Sequence, residues 1–425
     1  MGIEAGHFCF CIMLIDEKKL LSVLKKSKSV LLLEPRFSRR AYLPLGLAKI
    51  ATYIKEHGGD AVFKQVYDGN KYDCVCLSTL FTYDSKNIFK AIKQIKFFNP
   101  KQKIIIGGIF ASLMPEYILK KTSDDIMVFK GYSKQLDMCI PDYSIDWKIK
   151  KEKAKYSFND FSFLFSSRGC PNKCAYCAVW RIEKEKWINP NWKNHVMDDK
   201  PYVALMDNNI SYFSNDHLRN IVNFLNEKNK KVLMDGGIDC KYVTEENAKI
   251  YAKINFVENG LRIAFDRIEE DGIFQKAIQM LLDNGVRRRA IMVYVLYNFN
   301  DTPREVVYRI NQISKFGEIA IYPQKYKPLN LLSHNFLISK NWTNNLAKLI
   351  FPWARLCGYH RKIKFEDFLN DGNLIKKVRA GKNRIKRWER IDEKYPGFFD
   401  FERGIIKLSS EDWIKWNIDK DRYPE

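Results

Sequence analysis

The sequence predicts an α/β protein with two parallel sheets, followed by a basic, mainly helical C-terminal extension. Two observations support this prediction. Short continuous apolar runs, typical of buried strands, alternate with stretches in which apolar residues recur at helical spacing. Strands that are buried on both faces and separated by helices are typical of parallel sheets. A chain of 425 residues is long enough for two or three such domains.

The N-terminal extension, residues 1–27, contains one apolar run, from residue 8 to residue 15. A run of eight residues is too short to span a bilayer, and no basic segment precedes it. We therefore expect neither a transmembrane segment nor a signal peptide, and Met13 is a candidate for the true start. The 10 cysteines, three of them crowded into one loop, are typical of a reduced cytoplasmic protein with a metal site.

Residues 28–130 predict a doubly wound parallel sheet of the Rossmann or flavodoxin type. Buried strands are expected at residues 30–33, 74–77 and 104–108, with helices after the first and second of them. Such sheets bind ligands at the carboxyl ends of their strands. The residues at those ends, candidates for contact with a large ligand, are Ser78, Thr79, Leu80, Gly107 and Gly108. The alternative is that the two glycines only form a turn.

A charged segment without a clear period, residues 131–159, is predicted to be a linker. Residues 160–330 then predict six strand–helix units, which favours an open, partial barrel of the (β/α)6 TIM type. The strands of this barrel are expected at residues 161–166, 202–206, 231–235, 261–265, 290–296 and 318–323.

Polar residues follow the strands of this predicted barrel, at the rim where barrels of this kind place their chemistry. A purely structural barrel would have no reason to concentrate polar groups there, so we interpret the rim as an active site. Its candidate binding residues are Asp207, Asn209, Asp239 and Asp266. For each residue taken alone, a role as a helix cap or turn residue explains its position equally well.

The segment "SSRGCPNKCAYCAVW", residues 166–180, places three cysteines within eight positions: Cys170, Cys174 and Cys177. A structural zinc site usually has four ligands, with cysteines in pairs two residues apart. Here the intervals are three and two residues, and no fourth ligand is close in sequence. Three thiolates can instead bind three irons of a 4Fe-4S cluster and leave the fourth iron open.

The spacing C-x3-C-x2-C, with Tyr176 before the last cysteine and "SRG" before the first, resembles the signature of the radical S-adenosylmethionine (SAM) superfamily. The resemblance implies that the three cysteines bind a 4Fe-4S cluster and that the Tyr176 region lies near the adenine of SAM. It further implies an enzyme that cleaves SAM reductively to a 5′-deoxyadenosyl radical. A reductant of the flavodoxin or ferredoxin type is the implied partner.

The segments "YLPLGLAKIATYIKEHGG", "CLSTLFTYDSKNIFKAIKQIK" and "IIIGGIFASLMPEYI" resemble the cobalamin-binding domain that precedes many radical SAM barrels. By this resemblance the edge residues become candidate contacts for the corrin: Ser78, Thr79, Leu80, Gly107 and Gly108. The Asp-x-His-x-x-Gly signature of some cobalamin proteins is absent, and His57 does not fit it. The resemblance therefore leaves open both a bound cobalamin and an empty, vestigial domain.

The C-terminal extension, residues 331–425, contains a basic cluster at residues 376–390, in which eight of fifteen residues are Lys or Arg. Basic residues interleaved with aromatic ones, here Trp388, suit contacts with nucleic acid, and the chain has a formal net charge of +22. The alternatives are a solvated amphipathic helix and a lysine-rich composition.

The sequence leaves three hypotheses open. The first is a radical SAM enzyme that transfers a methyl group through cobalamin. The second is cobalamin-independent C–H chemistry, such as rearrangement or thiolation. The third is an iron–sulfur protein that binds nucleic acid without catalysis. None of the residue patterns names the substrate.

Overall fold

The computed structural model describes residues 13–35, 42–123, 125–149, 157–333, 337–355, 364–370 and 408–424. Two compact units are present: Met1–Val203 with Pro328–Asn335, and Ala204–Lys327 with Phe336–Glu425. This division follows contacts within the chain. The basic cluster at residues 376–390 lies outside the described residues, as does Cys357.

The first unit contains a six-stranded parallel sheet. Its strands are β1 (Leu14–Ile15), β2 (Ser29–Leu33), β3 (Asp60–Lys64), β4 (Cys74–Thr79), β5 (Ile104–Gly108) and β6 (Ile126–Phe129). The sheet order is β1-β6-β5-β4-β2-β3. The strands predicted at residues 30–33, 74–77 and 104–108 are confirmed as β2, β4 and β5.

Helices follow the strands of this first sheet and bury its apolar residues, as the helical spacing predicted. Val75, Leu77 and Ile106 are at most 1% exposed. Side-chain caps fix some helix starts: Asp16 accepts a hydrogen bond from the amide of Lys19 at 2.7 Å. The helices of the unit are Glu17–Lys26, Leu45–Glu56, Ser85–Phe98, Ile109–Leu113, Pro115–Lys121, Lys134–Met138 and Val179–Ile182.

A second six-stranded sheet contains all six strands predicted for residues 160–330. Its strands are β7 (Phe161–Leu164), β10 (Tyr202–Leu205), β11 (Lys231–Ile238), β12 (Phe256–Ala264), β13 (Ile291–Tyr297) and β14 (Ala320–Lys325). The short strands β8 (Ser167–Arg168) and β9 (Trp187–Ile188) form a separate two-stranded sheet. The order follows the chain: β14-β13-β12-β11-β10-β7. The pairs β11–β12, β12–β13 and β13–β14 are parallel. The protein is therefore α/β with two parallel sheets, as the sequence predicted.

The strands of the second unit alternate with amphipathic helices. Thr302 begins one of them with a capping box, in which its hydroxyl accepts from the amide of Glu305 and the Glu305 carboxylate accepts from the amide of Thr302. The helices are Asn215–Glu227, Glu245–Tyr251, Ile273–Asp283, Pro303–Ser314, Asn344–Trp353, Phe365–Asn370 and Ser410–Trp416. In the described ranges, none of the helices combines the length and hydropathy that crossing a bilayer requires.

The glycine pair at the end of β5 has two different roles. Gly108 has φ +105° and ψ −168°, a conformation that is essentially restricted to glycine. A Cβ atom at Gly108 would lie 2.2 Å from the carbonyl oxygen of Thr79. A Cβ atom at Gly107 would meet no atom within 4 Å. Gly108 is thus required by the backbone, whereas Gly107 borders open space.

We expect Gly108→Ala to lower the free energy of unfolding by about 1–3 kcal/mol from the backbone strain alone. The contact with Thr79 will add to this loss, because two backbone segments must separate. Gly107→Ala is the matched control, and its stability should stay close to that of the wild type. Urea unfolding of the two variants measures the difference, and equal stabilities would contradict the close approach of β4 and β5.

Candidate functional site

The cysteine loop, residues 169–186, is closed by a short antiparallel ribbon. The ribbon consists of β8 and β9, and Arg168 lies opposite Trp187. At the first position of the loop, Gly169 has φ +102°, and a Cβ atom there would lie 2.4 Å from the carbonyl oxygen of Glu185. The loop therefore leaves the ribbon through a turn that requires glycine.

The three cysteines of this loop form no disulfide and are half-buried. The backbone turns between two of them, since the amide of Cys177 donates to the carbonyl of Cys174 at 3.0 Å. The amide of Val179 donates to the sulfur of Cys177 at 3.4 Å. Tyr176 occupies the turn and is half-buried. The loop thus presents three thiols within one turn-rich segment, as the sequence predicted.

The other cysteines that the structure describes form no disulfide either, and they are buried. Burial raises the pKa of the Cys139 thiol to about 11 and that of the Cys240 thiol to about 12. Such thiols stay neutral and unreactive at neutral pH. Half-burial distinguishes the three loop cysteines from Cys74, Cys76, Cys139 and Cys240, which serve as small apolar core residues.

The donor chemistry of the loop fits an iron–sulfur cluster. Three soft sulfur donors lie on one segment, and an amide already donates to one of the sulfurs, a contact that tunes such clusters. Within the described ranges, no three His, Cys, Asp or Glu side chains are grouped so that they could hold a metal ion. Cluster binding by Cys170, Cys174 and Cys177 therefore stays a prediction.

A buried group of charges lies beside the loop. Asp137, 4% exposed, accepts from the ammonium of Lys49 at 2.6 Å and from Arg168 at 2.8 and 3.0 Å. Burial alone would raise the pKa of Asp137, but Lys49 and Arg168 together outweigh it and lower that pKa to about 2. For Lys49 itself, burial outweighs Asp137 and lowers the pKa. With two cations facing its carboxylate, we treat Asp137 as ionised.

At the carboxyl edge of the first sheet, β4 and β5 bring the predicted ligand residues together. Ser78 lies opposite Gly107, and Thr79 lies opposite Gly108. Thr79 is 1% exposed; its hydroxyl donates to the carbonyl of Gly107 at 2.8 Å and accepts from the amide of Ala111 at 3.0 Å. Ser78, Leu80 and Gly107 are half-buried, and Gly107 borders open space.

His57 does not belong to that edge. It ends the helix Leu45–Glu56, directly before β3, and therefore lies at the amino end of the parallel strands. Its ring packs at a tilt against the ring of Tyr53, with 4.3 Å between the centroids, and hydrogen-bonds the Tyr53 carbonyl at 2.8 Å. This placement gives His57 a local role at a helix end, in agreement with its failure to fit the cobalt-ligand signature.

In the second unit, the rim after β10 and β11 is linked by hydrogen bonds. Asn209, 3% exposed, accepts from the hydroxyl of Ser211 at 2.6 Å, and the Ser211 oxygen accepts from the amide of Asp239 at 3.2 Å. Asp207 is also 3% exposed, and its carbonyl lies 2.0 Å from where a Cβ atom at Gly236 would be. Sequence reasoning missed Ser211, because a serine several residues past a strand has no pattern of its own.

The rim continues after β12. Asp266 accepts from the amide of Leu296 at 2.9 Å, and its own amide donates to Glu270 at 3.0 Å. The ammonium of Lys241 lies 3.8 Å from Glu270. The structure thus brings Asp239 and Asp266 into one region through Lys241 and Glu270. Asp266 also holds two strand ends together, which gives it a structural role beside any binding role.

Further polar groups that sequence reasoning missed lie on one face of the second sheet. Arg262 pairs with Asp235 on β11 and lies 5.8 Å from the ring of Tyr294 on β13. The ring of Tyr294 packs edge-on against Tyr322 on β14 at 5.6 Å. These residues lie within the predicted strands rather than after them, so attention to the loops alone did not reveal them.

Lys325, at the carboxyl end of β14, is a candidate proton-transfer group. Burial lowers its pKa to about 8, and the positive charges of Lys348 and Lys327 contribute in the same direction. A lysine with such a pKa is partly neutral near neutral pH and can accept a proton.

A scan of this chain against protein-family models found no match, and a search of curated proteins found none either.

The pKa of Asp137 predicts an acid-sensitive contribution to stability. Because the folded-state pKa is lowered from its ordinary value of 3.8 to about 2, the contribution is complete above pH 4 and is lost as the pH falls towards 2. The loss amounts to about 2 kcal/mol. Asp137→Asn should therefore give a shallower fall in unfolding free energy over this interval than the wild type.

Urea unfolding at several pH values between 2 and 5 measures this difference. Asp146→Asn is the matched control, because Asp146 is exposed and its ion pair with the exposed Lys148 contributes little to stability. Its pH profile should resemble that of the wild type. Identical profiles for Asp137→Asn and the wild type would show that the buried pairing does not lower the pKa of Asp137.

Proposed function

We propose that this chain is a radical SAM enzyme that functionalises a C–H bond of its substrate. The observation that supports the proposal best is the cysteine loop, with three half-buried thiols, none in a disulfide, at C-x3-C-x2-C spacing. The loop follows β7 and the short strand β8 in the chain, and the sequence predicts the corresponding strand as the first of a partial barrel.

Cys170, Cys174 and Cys177 would hold a 4Fe-4S cluster through their thiolates. When bound, a cluster with one open iron supplies the electron and the coordination site for cleaving SAM to a 5′-deoxyadenosyl radical. The amide of Val179, which donates to the Cys177 sulfur, would stabilise negative charge on that thiolate. Gly169 lets the loop leave its ribbon without strain.

The rim of the second unit would bind SAM or the substrate. Asp239 is half-buried and therefore both accessible and positioned, because its amide bonds Ser211 and its carboxylate accepts from the amide of Lys241 at 3.0 Å. Asp207 and Asn209 are nearly fully buried and would orient the backbone of the rim more than they contact a ligand. Half-buried Asp266 would combine both roles.

Substitution of the loop cysteines tests this proposal. Cys170→Ala, Cys174→Ala or Cys177→Ala should each abolish iron–sulfur absorption after anaerobic reconstitution, together with formation of 5′-deoxyadenosine from SAM and a reductant. Cys240→Ala is the control, since this thiol is 3% exposed. A cluster that survives loss of one of the three loop thiols but requires Cys240 would overturn the proposal.

A cobalamin-dependent methyl transfer is the more specific candidate, supported by the open space beside Gly107 at the carboxyl edge of the first sheet. Gly107→Trp should prevent uptake of hydroxocobalamin while leaving iron content unchanged. Gly108 is unsuitable for this test, since a side chain there collides with Thr79. A wild-type protein that takes up no corrin would favour cobalamin-independent chemistry, with rearrangement or thiolation as the classes to examine.

The products separate the remaining hypotheses. S-adenosylhomocysteine in addition to 5′-deoxyadenosine indicates methyl transfer, and 5′-deoxyadenosine alone indicates cobalamin-independent chemistry. Tight polynucleotide binding without either product would favour the iron–sulfur nucleic-acid-binding protein. The basic cluster at residues 376–390, outside the described residues, is the segment to change in that case.

A further inference from the structure

Glu183, within the cysteine loop, accepts hydrogen bonds from the two residues at which that loop begins, Arg168 and Gly169. One carboxylate oxygen accepts from the guanidinium of Arg168 at 2.6 Å, and the other accepts from the amide of Gly169 at 2.8 Å. Glu183 is 5% exposed. It therefore ties the end of the short helix Val179–Ile182 back to the residue that precedes Cys170.

Arg168 connects this loop to the rest of the unit. Besides Glu183, its guanidinium donates twice to Asp137, at 2.8 and 3.0 Å. Its charged carbon lies 3.3 Å from the centre of the Phe165 ring. The planar, five-donor guanidinium can serve two carboxylates at once, which a lysine ammonium on a flexible stem would not reproduce.

The two charged residues of this group that lie outside the cysteine loop region, Asp137 and Lys49, belong to two helices. Asp137 belongs to the helix Lys134–Met138, and its second cationic partner, Lys49, belongs to the helix Leu45–Glu56. Lys49 is 2% exposed. Two cations and two anions thus form a buried, charge-balanced clamp, defined here as Lys49, Asp137, Arg168 and Glu183, that reaches from two helices to the cysteine loop.

Burying four charges is costly, and a well-packed apolar group would stabilise the fold at least as well. The charged groups additionally restrict the orientation of their partners, because each hydrogen bond fixes an angle as well as a distance. The bond from the Gly169 amide to Glu183 fixes the backbone one residue before the first cysteine. The clamp therefore fixes the position of the loop in a way that an apolar group would not.

We propose that Arg168 and Glu183 are positioning residues that fix the start of the cysteine loop, and that this order favours cluster binding by its three thiols. The cluster part of this inference rests on the proposed function. The loop part does not, since it concerns the order of residues 169–186 in the protein without iron.

The first experiment is amide hydrogen exchange of the iron-free protein, followed by mass spectrometry. Exchange of peptides within 169–186 should be faster by at least about tenfold in Glu183→Ala and Arg168→Ala, because removing one partner leaves the others buried without it. Peptides from β4 and β12 report global unfolding, and any rise in their exchange should be smaller than the rise in the loop peptides. The milder Arg168→Lys and Glu183→Gln variants should lie in between, and they replace the alanine variants if those do not fold.

The control variant is Glu318→Ala, which removes the exposed pair of Glu318 with Arg289. It should leave exchange of the loop peptides unchanged. Unchanged loop exchange in the clamp variants would overturn the proposal. A uniform rise across the loop, β4 and β12 would also overturn it, because the clamp would then serve overall stability instead of loop order.

The second experiment is reconstitution of the same variants with iron and sulfide. Iron content and cluster absorption should be lowest in Glu183→Ala, intermediate in Glu183→Gln and highest in the wild type, and the midpoint potential of any remaining cluster should shift most in Glu183→Ala. A clamp variant whose loop exchanges faster, but whose iron content and midpoint potential equal those of the wild type, would show that the clamp does not affect cluster binding. If the wild type itself binds no iron, the proposed function fails, while the exchange experiment still decides the role of the clamp.

Discussion

Parallel pairing of the strands is the constraint on which the rest of this structure depends. The strand pairs of the first sheet are parallel, and so are the pairs from β11 to β14. Parallel neighbours need a long crossover, which the chain supplies with helices that bury the faces of each sheet. The faces thereby become core, and the strand ends become the places where polar side chains can gather.

The buried backbone N–H and C=O groups at those strand ends must also form hydrogen bonds. Arg309, fully buried, donates to the carbonyl oxygens of Phe265 and Leu296, while Asp266 accepts from the amide of Leu296. Residues that look like ligands for a substrate thus also close the ends of neighbouring strands. If a substitution of Asp266 lowers activity, the free energy of unfolding of that variant must therefore also be measured, to separate a binding role from a structural one.

The sequence was sufficient to predict β2, β4 and β5, which contain continuous apolar runs, and the location of each of the six strands of the second sheet. It did not reveal β3, whose burial alternates irregularly along an edge, nor the four-residue β6 and the two-residue β1. Short strands have no periodicity of their own, and their pairing partners determine them. β1 and the helix Glu17–Lys26 lie within the predicted N-terminal extension, yet β1 pairs with β6 in the first sheet.

The candidate site likewise has a part that the sequence predicted and a part that only the fold reveals. The three cysteines lie within eight residues, so their spacing alone indicated their chemistry. Ser211 and Glu270 complete the rim through contacts that depend on how distant strands meet, and no local pattern indicates such contacts. The clamp depends still more on the fold, because Arg168 meets Glu183 across 15 residues and Asp137 across 31.

The clamp also explains why the loop cysteines differ from the other described cysteines. A thiol packed among apolar side chains, such as Cys240, is protected by its surroundings and needs no support. A half-buried loop is less protected by packing than a core segment, so directed polar bonds contribute more to its order. Arg168 and Glu183 supply such bonds at the start of the loop. The buried charges are therefore best understood as the means by which an accessible loop keeps a defined shape.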